Sequence, residues 1–309
     1  MQCLWKTPLT AVLLLGLASV VQAQTEPTAP NAPAALSGTL AKVRETGTVA
    51  IGYRVSSVPF SYLSARGEPI GYSIALCRAL VASMEEAVHK SLAIQWTPVT
   101  AESRIDAVAH GQIDLECGST TNNLERQQRV GFSPTIFVSG TKLLVRKGSP
   151  IKGFRDLAGK TVAVTRGTTN EKTLRELSEK FKLNLHLLVQ ADHAESFAQV
   201  ANGRADAFAT DDVLLYGLIA QNKGKVPGSY QVVSEFLSYD PYGIMFRKGD
   251  PQLTKLVNDA FRALATDGEI ARQYQRWFLQ KLPQSGTSID LPMGPQLETI
   301  IETLAVPAE

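Results

Sequence analysis

Two stretches of the chain repeat one order of features, and this repeat constrains the fold more than any other part of the sequence. In residues 105–117 and again in 197–210, a helical pattern reaches a glycine, an aspartate follows three residues later, and a strand begins. Polar residues follow each strand, Ser119-Thr120-Thr121 in the first copy and Thr210-Asp211-Asp212 in the second. A chance similarity is the alternative, because helix–glycine–strand linkages are common. Otherwise the chain carries two similar α/β units whose strand ends face each other, and open α/β sheets bind ligands at that edge.

The pattern of the other segments supports an α/β protein with a mainly parallel sheet. Strand signals at 49–53 and 94–99 enclose a helical signal at 71–89, in which apolar residues recur four apart. Such alternation is typical of parallel sheets. Two apolar runs, 142–146 and 243–247, each lead into Arg-Lys-Gly. We expect them to pass side by side from one unit to the other, and two such crossings predict a hinge.

The first 23 residues have the features of a secretory signal peptide. A lysine precedes the apolar run 11–21, and Val21-Gln22-Ala23 is a small-x-small cleavage sequence. We therefore expect cleavage after Ala23, a periplasmic location, and a flexible leader at 24–35, which is rich in proline and alanine. The formal net charge of +2 gives no reason to expect a nucleic-acid partner.

Cys77 and Cys117 are the cysteines beyond the predicted signal peptide, and their spacing is not that of metal ligands. An oxidising compartment permits a disulfide between them, and two buried free thiols are the alternative. The sequence also has no metal-ligand cluster and no phosphate-cradling glycine loop. We therefore expect no cofactor.

The segment 116–126 has the composition of an anion-binding loop. It reads Glu-Cys-Gly-Ser-Thr-Thr-Asn-Asn-Leu-Glu-Arg, so that a strand ends in a hydroxyl-rich turn and a helix opens at Asn122 or Asn123. Free backbone N–H groups at a helix start favour an anion. Arg126 adds a planar, two-pronged donor that suits a carboxylate or a phosphate. The alternative is a capped surface helix with a solvated arginine.

Several ordered motifs make the chain resemble the periplasmic solute-binding proteins of polar amino-acid ABC uptake systems, most closely the glutamate/aspartate-binding proteins, from about residue 36 to 291. The motifs are Gly-Tyr-Arg-Val-Ser-Ser-Val-Pro-Phe-Ser-Tyr (52–62), the segment 116–127, Phe-Ser-Pro-Thr-Ile-Phe-Val-Ser-Gly-Thr (132–141), Gly167-Thr168-Thr169, Asp192-His193 and Thr210-Asp211-Asp212. The resemblance implies an α/β fold of the type II periplasmic-binding-protein class, with two lobes, each a mainly parallel sheet flanked by helices, joined by two hinge strands. It assigns 36–141 and 245–309 to lobe I and 142–244 to lobe II.

The resemblance also implies a ligand site in a cleft that closes between the lobes. Ser119, Thr121 and Arg126 would hold the α-carboxylate of an amino acid, joined from lobe II by Thr169. Asp211 would bind the ammonium group of the ligand. Asp211 could instead cap the helix that follows it, or exchange roles with its neighbour.

Arg54 and Arg104 would face a second carboxylate, on the ligand side chain, with His193 donating from lobe II. Each has an alternative. Arg54 could be a solvated arginine at a strand end. Arg104 could pair with Glu102 or Asp106, and His193 also fits the start of a helix. Three arginines, one aspartate and one imidazole match a ligand with two negative charges and one positive charge, which argues against a neutral or basic amino acid.

One position departs from the family pattern. The glutamate/aspartate-binding proteins are expected to carry a serine three residues before the cleft arginine, and Ala101 stands there. A hydroxyl donor is therefore missing, although Ser103 could replace it in part. A charge-assisted hydrogen bond contributes roughly 1.5–3 kcal/mol, so we expect the change to affect the preference between aspartate and glutamate.

The implied partners are an acidic amino acid and the permease subunits of an ABC importer in the inner membrane, and we expect a monomer. Three alternatives stay open. The first is a binding protein for another polar amino acid. The second is the ligand-sensing module of a receptor, which would require a fused membrane or signalling segment. An enzyme resembling cyclohexadienyl dehydratase would need an acid or base in the cleft, for which Glu116, Asp211 and His193 are the candidates. We expect a binding protein and not an enzyme, because holding a ligand explains the arginines.

Overall fold

The computed structural model describes residues 35–306. The predicted signal peptide, residues 1–23, and residues 24–34 of the predicted leader lie outside this range. The helices are α1 (Gly38–Thr46), α2 (Tyr72–Val88), α3 (Arg104–Ala109), α4 (Leu124–Gln127), α5 (Thr169–Phe181), α6 (His193–Ala201), α7 (Asp212–Asn222), α8 (Pro251–Thr266), α9 (Glu269–Tyr274) and α10 (Pro295–Ala305). The strands are β1 (Thr48–Tyr53), β2 (Ser56–Ser57), β3 (Ser61–Leu63), β4 (Pro69–Ile70), β5 (Ala93–Pro98), β6 (Leu115–Glu116), β7 (Val130–Phe132), β8 (Phe137–Ser139), β9 (Thr141–Arg146), β10 (Thr161–Thr165), β11 (His186–Gln190), β12 (Ala207–Asp211), β13 (Tyr230–Val233), β14 (Asp240–Tyr242) and β15 (Met245–Arg247).

Two five-stranded sheets within the described residues share one arrangement. The first has the order β5-β1-β6-β15-β7, and the second has the order β11-β10-β12-β9-β13. In each, one strand runs against the other four, β15 in the first and β9 in the second. The repeated helix–glycine–strand unit supplies the central strand of each sheet, β6 or β12. The predicted α/β class with two mainly parallel sheets is confirmed.

The crossing between the two sheets is made by β8 and β14, which pair antiparallel. The prediction that 142–146 and 243–247 form this pair was wrong, because β9 and β15 lie in different sheets. Each of these apolar runs is the reversed strand beside a central strand, so burial inside its own sheet explains its composition. The crossing strands are the short segments that come just before them. The predicted lobe limits stay a prediction.

The apolar stripe predicted on the helix at 71–89 is buried in α2. Leu76, Leu80, Met84 and Val88 lie on one face, because residues four apart are neighbours on a helix, and all four are buried in the core below the first sheet. Burying one such side chain stabilises a fold by about 1.5–3 kcal/mol relative to leaving it exposed. This stripe therefore fixes α2 to the first sheet.

The crossing strands rest on a cluster of aromatic rings. Phe137 of β8 and Tyr242 of β14 lie with their ring centroids 5.0 and 5.1 Å from the Phe60 ring, and Phe278 stacks on Phe137 at 5.0 Å. All four side chains are buried. Aromatic pairs contribute about 0.5–1.5 kcal/mol each beyond the area they bury, so the cluster holds the crossing against the core of the first sheet.

Cys77 and Cys117 form a disulfide, with their Cα atoms 6.3 Å apart. The bond joins α2 to the end of β6, directly before the hydroxyl-rich loop. It therefore anchors that loop to the core, and it resolves the alternative of two free thiols. Within residues 35–306, no helix has both the length and the apolar character of a membrane span.

Candidate functional site

The predicted site residues follow strands whose carboxyl ends face each other. Arg54 follows β1 and Ser119 follows β6 in the first sheet, whereas Thr169 follows β10 and Asp211 ends β12 in the second. The two sets of strand ends are in contact, since Thr121 Oγ1 lies 3.3 Å from Thr169 Oγ1. The structure thus brings residues that are distant in sequence to one place.

A small cavity of about 10 Å³, which is room for about one water molecule, lies where the strand ends meet. Its lining residues are Arg104, Ser119, Thr121, Thr168, Thr169, Asn170, His193, Asp211 and Leu214. Arg54 and Arg126 lie outside this lining, and Arg126 borders an outer groove that shares Thr121, Thr168 and Thr169 with the cavity.

Arg54 is a buried cation directly after the end of β1. It is 1% exposed, and neither Nη1 nor Nη2 has a hydrogen-bond partner among the residues that the structure describes. Burial, helped by the positive charge of Arg104, lowers the pKa of Arg54 to about 9, and Glu116 opposes this shift. This burial excludes the alternative of a solvated arginine, and buried N–H donors without acceptors are unfavourable.

Arg104 is equally buried and is held by its neighbours. Its Nη1 donates to the carbonyl oxygen of Ser119 at 3.2 Å and lies 3.9 Å from Glu116 Oε1. Its Nε has no partner within residues 35–306. Burial lowers the pKa of Arg104, and Glu116 opposes the shift. The alternative pairing with Glu102 or Asp106 does not occur, since those carboxylates pair with other arginines.

Arg126 closes the outer side of the cavity. Its Nη1 donates to the carbonyl oxygen of Thr121 at 2.9 Å, and its Nη2 donates to that of Gly167 at 3.4 Å. Burial and the charge of Arg104 lower the pKa of Arg126 to about 10. The helix it lies on opens at Asn123, whose side chain accepts from the Arg126 backbone N–H. Because α4 has only four residues, the case for an anion rests on the arginine and the loop, not on a helix dipole.

Asp211 faces the cavity and does not cap the following helix. Its Oδ1 accepts from Asn170 Nδ2 at 2.7 Å and its Oδ2 accepts from Tyr242 Oη, while no side-chain cap bond forms at the start of α7. Asp212 instead accepts from the Val213 backbone N–H. Burial, with the negative charge of Asp240, raises the pKa of Asp211 to about 7.

Asp240 is a buried site carboxylate that the sequence reasoning missed. Its Oδ1 accepts from both Thr121 Oγ1 and Thr169 Oγ1 at 3.0 Å. Both threonine hydroxyls donate to Asp240, so its carboxylate links the loop after β6 to the start of α5. Their assignment to a ligand carboxylate stays a prediction. Asp240-Pro241-Tyr242 lies in the crossing strand, and a correct assignment of that strand is the signal that could have identified it.

His193 lies at the start of α6 and also lines the cavity. The predicted helix start and the predicted place beside a ligand are therefore compatible. The side chain of Asp192 caps α6 by accepting from the Glu195 backbone N–H at 2.9 Å. The imidazole Nδ1 lies 2.9 Å from Thr165 Oγ1. Burial, and then the positive charges of Arg54 and Arg104, lower the pKa of His193 well below its usual value.

Ser103, the predicted partial replacement for the missing serine hydroxyl, is engaged with Thr100 in this structure, and its role towards a ligand stays a prediction. Ser103 is exposed, and its Oγ accepts from the Thr100 backbone N–H at 3.0 Å. Ala101 itself lies against the loop between β10 and α5, since a Cβ placed on Gly167 would stand 3.1 Å from the Ala101 carbonyl carbon and 2.7 Å from Glu102 Cα. Gly167 also has φ +74°, so the close approach and the backbone conformation both require glycine.

Comparisons with known proteins agree with this geometry. Residues 49–280 match the family model of the bacterial extracellular solute-binding proteins, family 3. The chain is 42% identical over 275 residues to the L-glutamate/L-aspartate-binding protein of Pseudomonas aeruginosa, covering 88% of this chain and 90% of the relative. It is 38% identical over 298 residues to the glutamate/aspartate import solute-binding protein of Escherichia coli K12, covering 96% of each.

Solved structures share the same fold. An ancestral arginine-binding protein superposes with a TM-score of 0.68 at 28% identity, covering 75% of this chain and 98% of that chain. An ancestral amino acid-binding protein described as a precursor of cyclohexadienyl dehydratase superposes with a TM-score of 0.66 at 30% identity, covering 78% and 99%. With facing strand ends, a small polar cavity between two lobes and a family match over most of its length, the chain belongs to the bacterial extracellular solute-binding proteins of family 3.

Proposed function

We propose that the protein is the substrate-binding component of an ABC importer and that it captures an acidic L-amino acid, glutamate or aspartate, by closing its two lobes. The observation that carries this proposal is a pair of buried guanidinium groups, Arg54 and Arg104, with nitrogens that have no partner within residues 35–306. A buried N–H donor without an acceptor is unfavourable, and a ligand carboxylate supplies acceptors for these nitrogens. The relatives named for glutamate and aspartate support the same ligand.

Each end of an acidic amino acid has a complementary group in this site. The side-chain carboxylate would pair with Arg54 and Arg104. The α-carboxylate would bind near Arg126 and Ser119, whose Oγ is buried without a partner among the described residues. Asp211 would bind the ammonium group. An arginine matches a carboxylate through two parallel N–H donors.

Closure is proposed to depend on the ligand. Direct ion pairs between the facing segments are exposed, such as Lys172 Nζ to Glu125 Oε2 at 2.7 Å, and surface pairs contribute only about 0–1 kcal/mol. A ligand held by Arg104 and Ser119 on one side and by His193 and Asp211 on the other favours the closed form by its differential affinity for it. The closed form would then be presented in the periplasm to a permease, by a monomer.

Thermal unfolding of the mature protein, residues 24–309, in the presence of single amino acids tests this proposal. A ligand at 100 times its Kd stabilises the folded state by about 2.7 kcal/mol, and 1 kcal/mol raises the Tm by roughly 2–4 °C in a protein of this size class. We therefore expect glutamate and aspartate to raise the Tm by several degrees, and glutamine, asparagine and arginine to have little effect. A larger shift with arginine or glutamine would assign the site to another polar amino acid.

A further inference from the structure

The hydrogen bonds around His193 favour one of its two ring nitrogens as the site of the proton. Thr165 Oγ1 lies 2.9 Å from His193 Nδ1 and 2.9 Å from Ser196 Oγ, and Ser196 Oγ lies 2.9 Å from the carbonyl oxygen of Asp192. A carbonyl oxygen only accepts, and each hydroxyl has one hydrogen to donate. Ser196 therefore donates to Asp192, Thr165 donates to Ser196, and His193 Nδ1–H donates to Thr165. The opposite direction leaves the contact between Ser196 and Asp192 without a hydrogen.

This series of hydrogen bonds leaves a neutral His193 with no N–H group that could donate to a ligand carboxylate. An imidazole with its proton on Nδ1 has a lone pair on Nε2. A carboxylate is also an acceptor, so the neutral ring and the ligand would place two acceptors together. His193 can donate from Nε2 only as the imidazolium, which keeps its bond to Thr165 and gains a second N–H.

The buried charges lead to the same conclusion. Six charged side chains of the site are at most 7% exposed, and with each ionised the three cations balance the three anions: Arg54, Arg104 and Arg126 against Glu116, Asp211 and Asp240. The charge count made from the sequence, with three arginines and one aspartate, did not include the carboxylates of Glu116 and Asp240. A ligand with net charge −1 therefore adds a negative charge to a neutral site, and a buried charge without compensation is strongly unfavourable. One proton on His193 restores the balance.

We propose that His193 takes up one proton from solvent when the site binds an anionic amino acid. The inference rests on the proposed function, because it concerns the same ligand. The charged groups around the ring are Arg54, which follows β1, and Arg104 at the start of α3, Asp211 of β12, which lines the same cavity, and Asp192 at the start of its own helix. The two arginines disfavour the imidazolium in the ligand-free site, and the ligand carboxylates offset that repulsion.

The sign of the pH dependence follows from this uptake. The free protein holds His193 neutral because its pKa is depressed, and the bound state raises that pKa. Between the two pKa values, each unit of increasing pH weakens binding by up to about tenfold, and outside this window the affinity is flat. Asp211, with a pKa raised to about 7, ionises on meeting the ammonium group and releases part of a proton near neutral pH. Proton uptake is therefore measured about one pH unit above the pKa of Asp211, where its carboxyl group is already mostly ionised without ligand.

Isothermal titration with glutamate in phosphate and in Tris at about pH 8 tests the proposal, because the two buffers release a proton with different enthalpies. We expect the buffer dependence of the binding heat to give an uptake approaching one proton. Thr165→Val removes the acceptor at Nδ1, so a neutral ring can carry its proton on Nε2, and this variant should bind glutamate with clearly smaller uptake. Binding heats that do not depend on the buffer would overturn the proposal, and absence of glutamate binding would refute the proposed function itself.

Nitrogen NMR of the wild-type histidines gives a second test that needs no variant. We expect His193 to carry its proton on Nδ1 without ligand and on both nitrogens with glutamate. The exposed His89, His110 and His186 are internal controls and should not change. A neutral His193 in the glutamate complex at the pH of the titration would overturn the proposal.

Discussion

Replacing Arg54 by methionine is expected to weaken glutamate binding by about thirtyfold to several thousandfold, with little change in the free energy of unfolding of the ligand-free protein. Truncating one partner of a buried charge pair costs about 2–5 kcal/mol, and 1.4 kcal/mol corresponds to tenfold in Kd. The ligand-free protein loses little, because Arg54 Nη1 and Nη2 are buried without partners among the described residues. Titration calorimetry measures the first effect and urea unfolding the second.

Arg66→Met is the matched control for this substitution. The Arg66 side chain is 84% exposed and pairs only at 3.5 Å with the exposed Glu68, so glutamate binding should be unchanged. An Arg54→Met protein that binds glutamate like the wild type would show that Arg54 does not hold the ligand. A variant that fails to fold would show that Arg54 is a structural cation.

Gly217→Ala is expected to weaken ligand binding by about fivefold to 150-fold without destabilising the ligand-free protein. Gly217 lies on α7, and a Cβ there would stand 2.2 Å from the carbonyl oxygen of Val58 in the loop between β2 and β3. Overpacking of this kind costs about 1–3 kcal/mol, and we expect the cost to fall on the closed form, because α7 packs on the second sheet whereas Val58 follows β2 beside the first. Alanine in a helix interior is itself favoured over glycine by roughly 0.5–1 kcal/mol.

Gly294→Ala tests whether the effect of Gly217→Ala is specific. Gly294 has φ −80° and no heavy atom within 4 Å of a Cβ placed on it, so that variant should bind normally. Small-angle scattering with saturating glutamate should show Gly217→Ala to be less compact than the wild type. A Gly217→Ala protein with wild-type affinity and compactness would mean that the contact with Val58 is not required for closure.

Much of the fold follows from local patterns in the sequence. The four-residue spacing of Leu76, Leu80 and Met84 predicts α2 because one helix face must be buried. The repeated helix–glycine–strand unit predicts the two central strands, and polar residues after those strands predict the edge at which the cavity lies. Each of these inferences uses residues that are close in sequence, so a short stretch contains all the information required.

The features that were missed depend on contacts between distant residues. Thr121 and Asp240 are 119 residues apart, and nothing near Asp240 in sequence indicates that it accepts hydrogen bonds from the facing loops. The close approach of Gly217 to Val58 is equally invisible, because a glycine in a helix has several explanations. The crossing strands were misplaced by a few residues because the apolar runs beside them give the stronger strand signal.

Acidic-ligand recognition is tested most directly by titrating the mature protein, unfolded and refolded to remove any carried-over ligand, with glutamate and glutamine in parallel. A neutral amide would not form the charged pair with Arg54 and Arg104 that a ligand carboxylate forms, and breaking such a buried pair costs about 3–5 kcal/mol. We therefore predict that glutamine binds roughly a hundredfold to several thousandfold more weakly than glutamate. Equal affinity for the two ligands, or a preference for glutamine, would contradict the assignment of Arg54 and Arg104 to a ligand carboxylate.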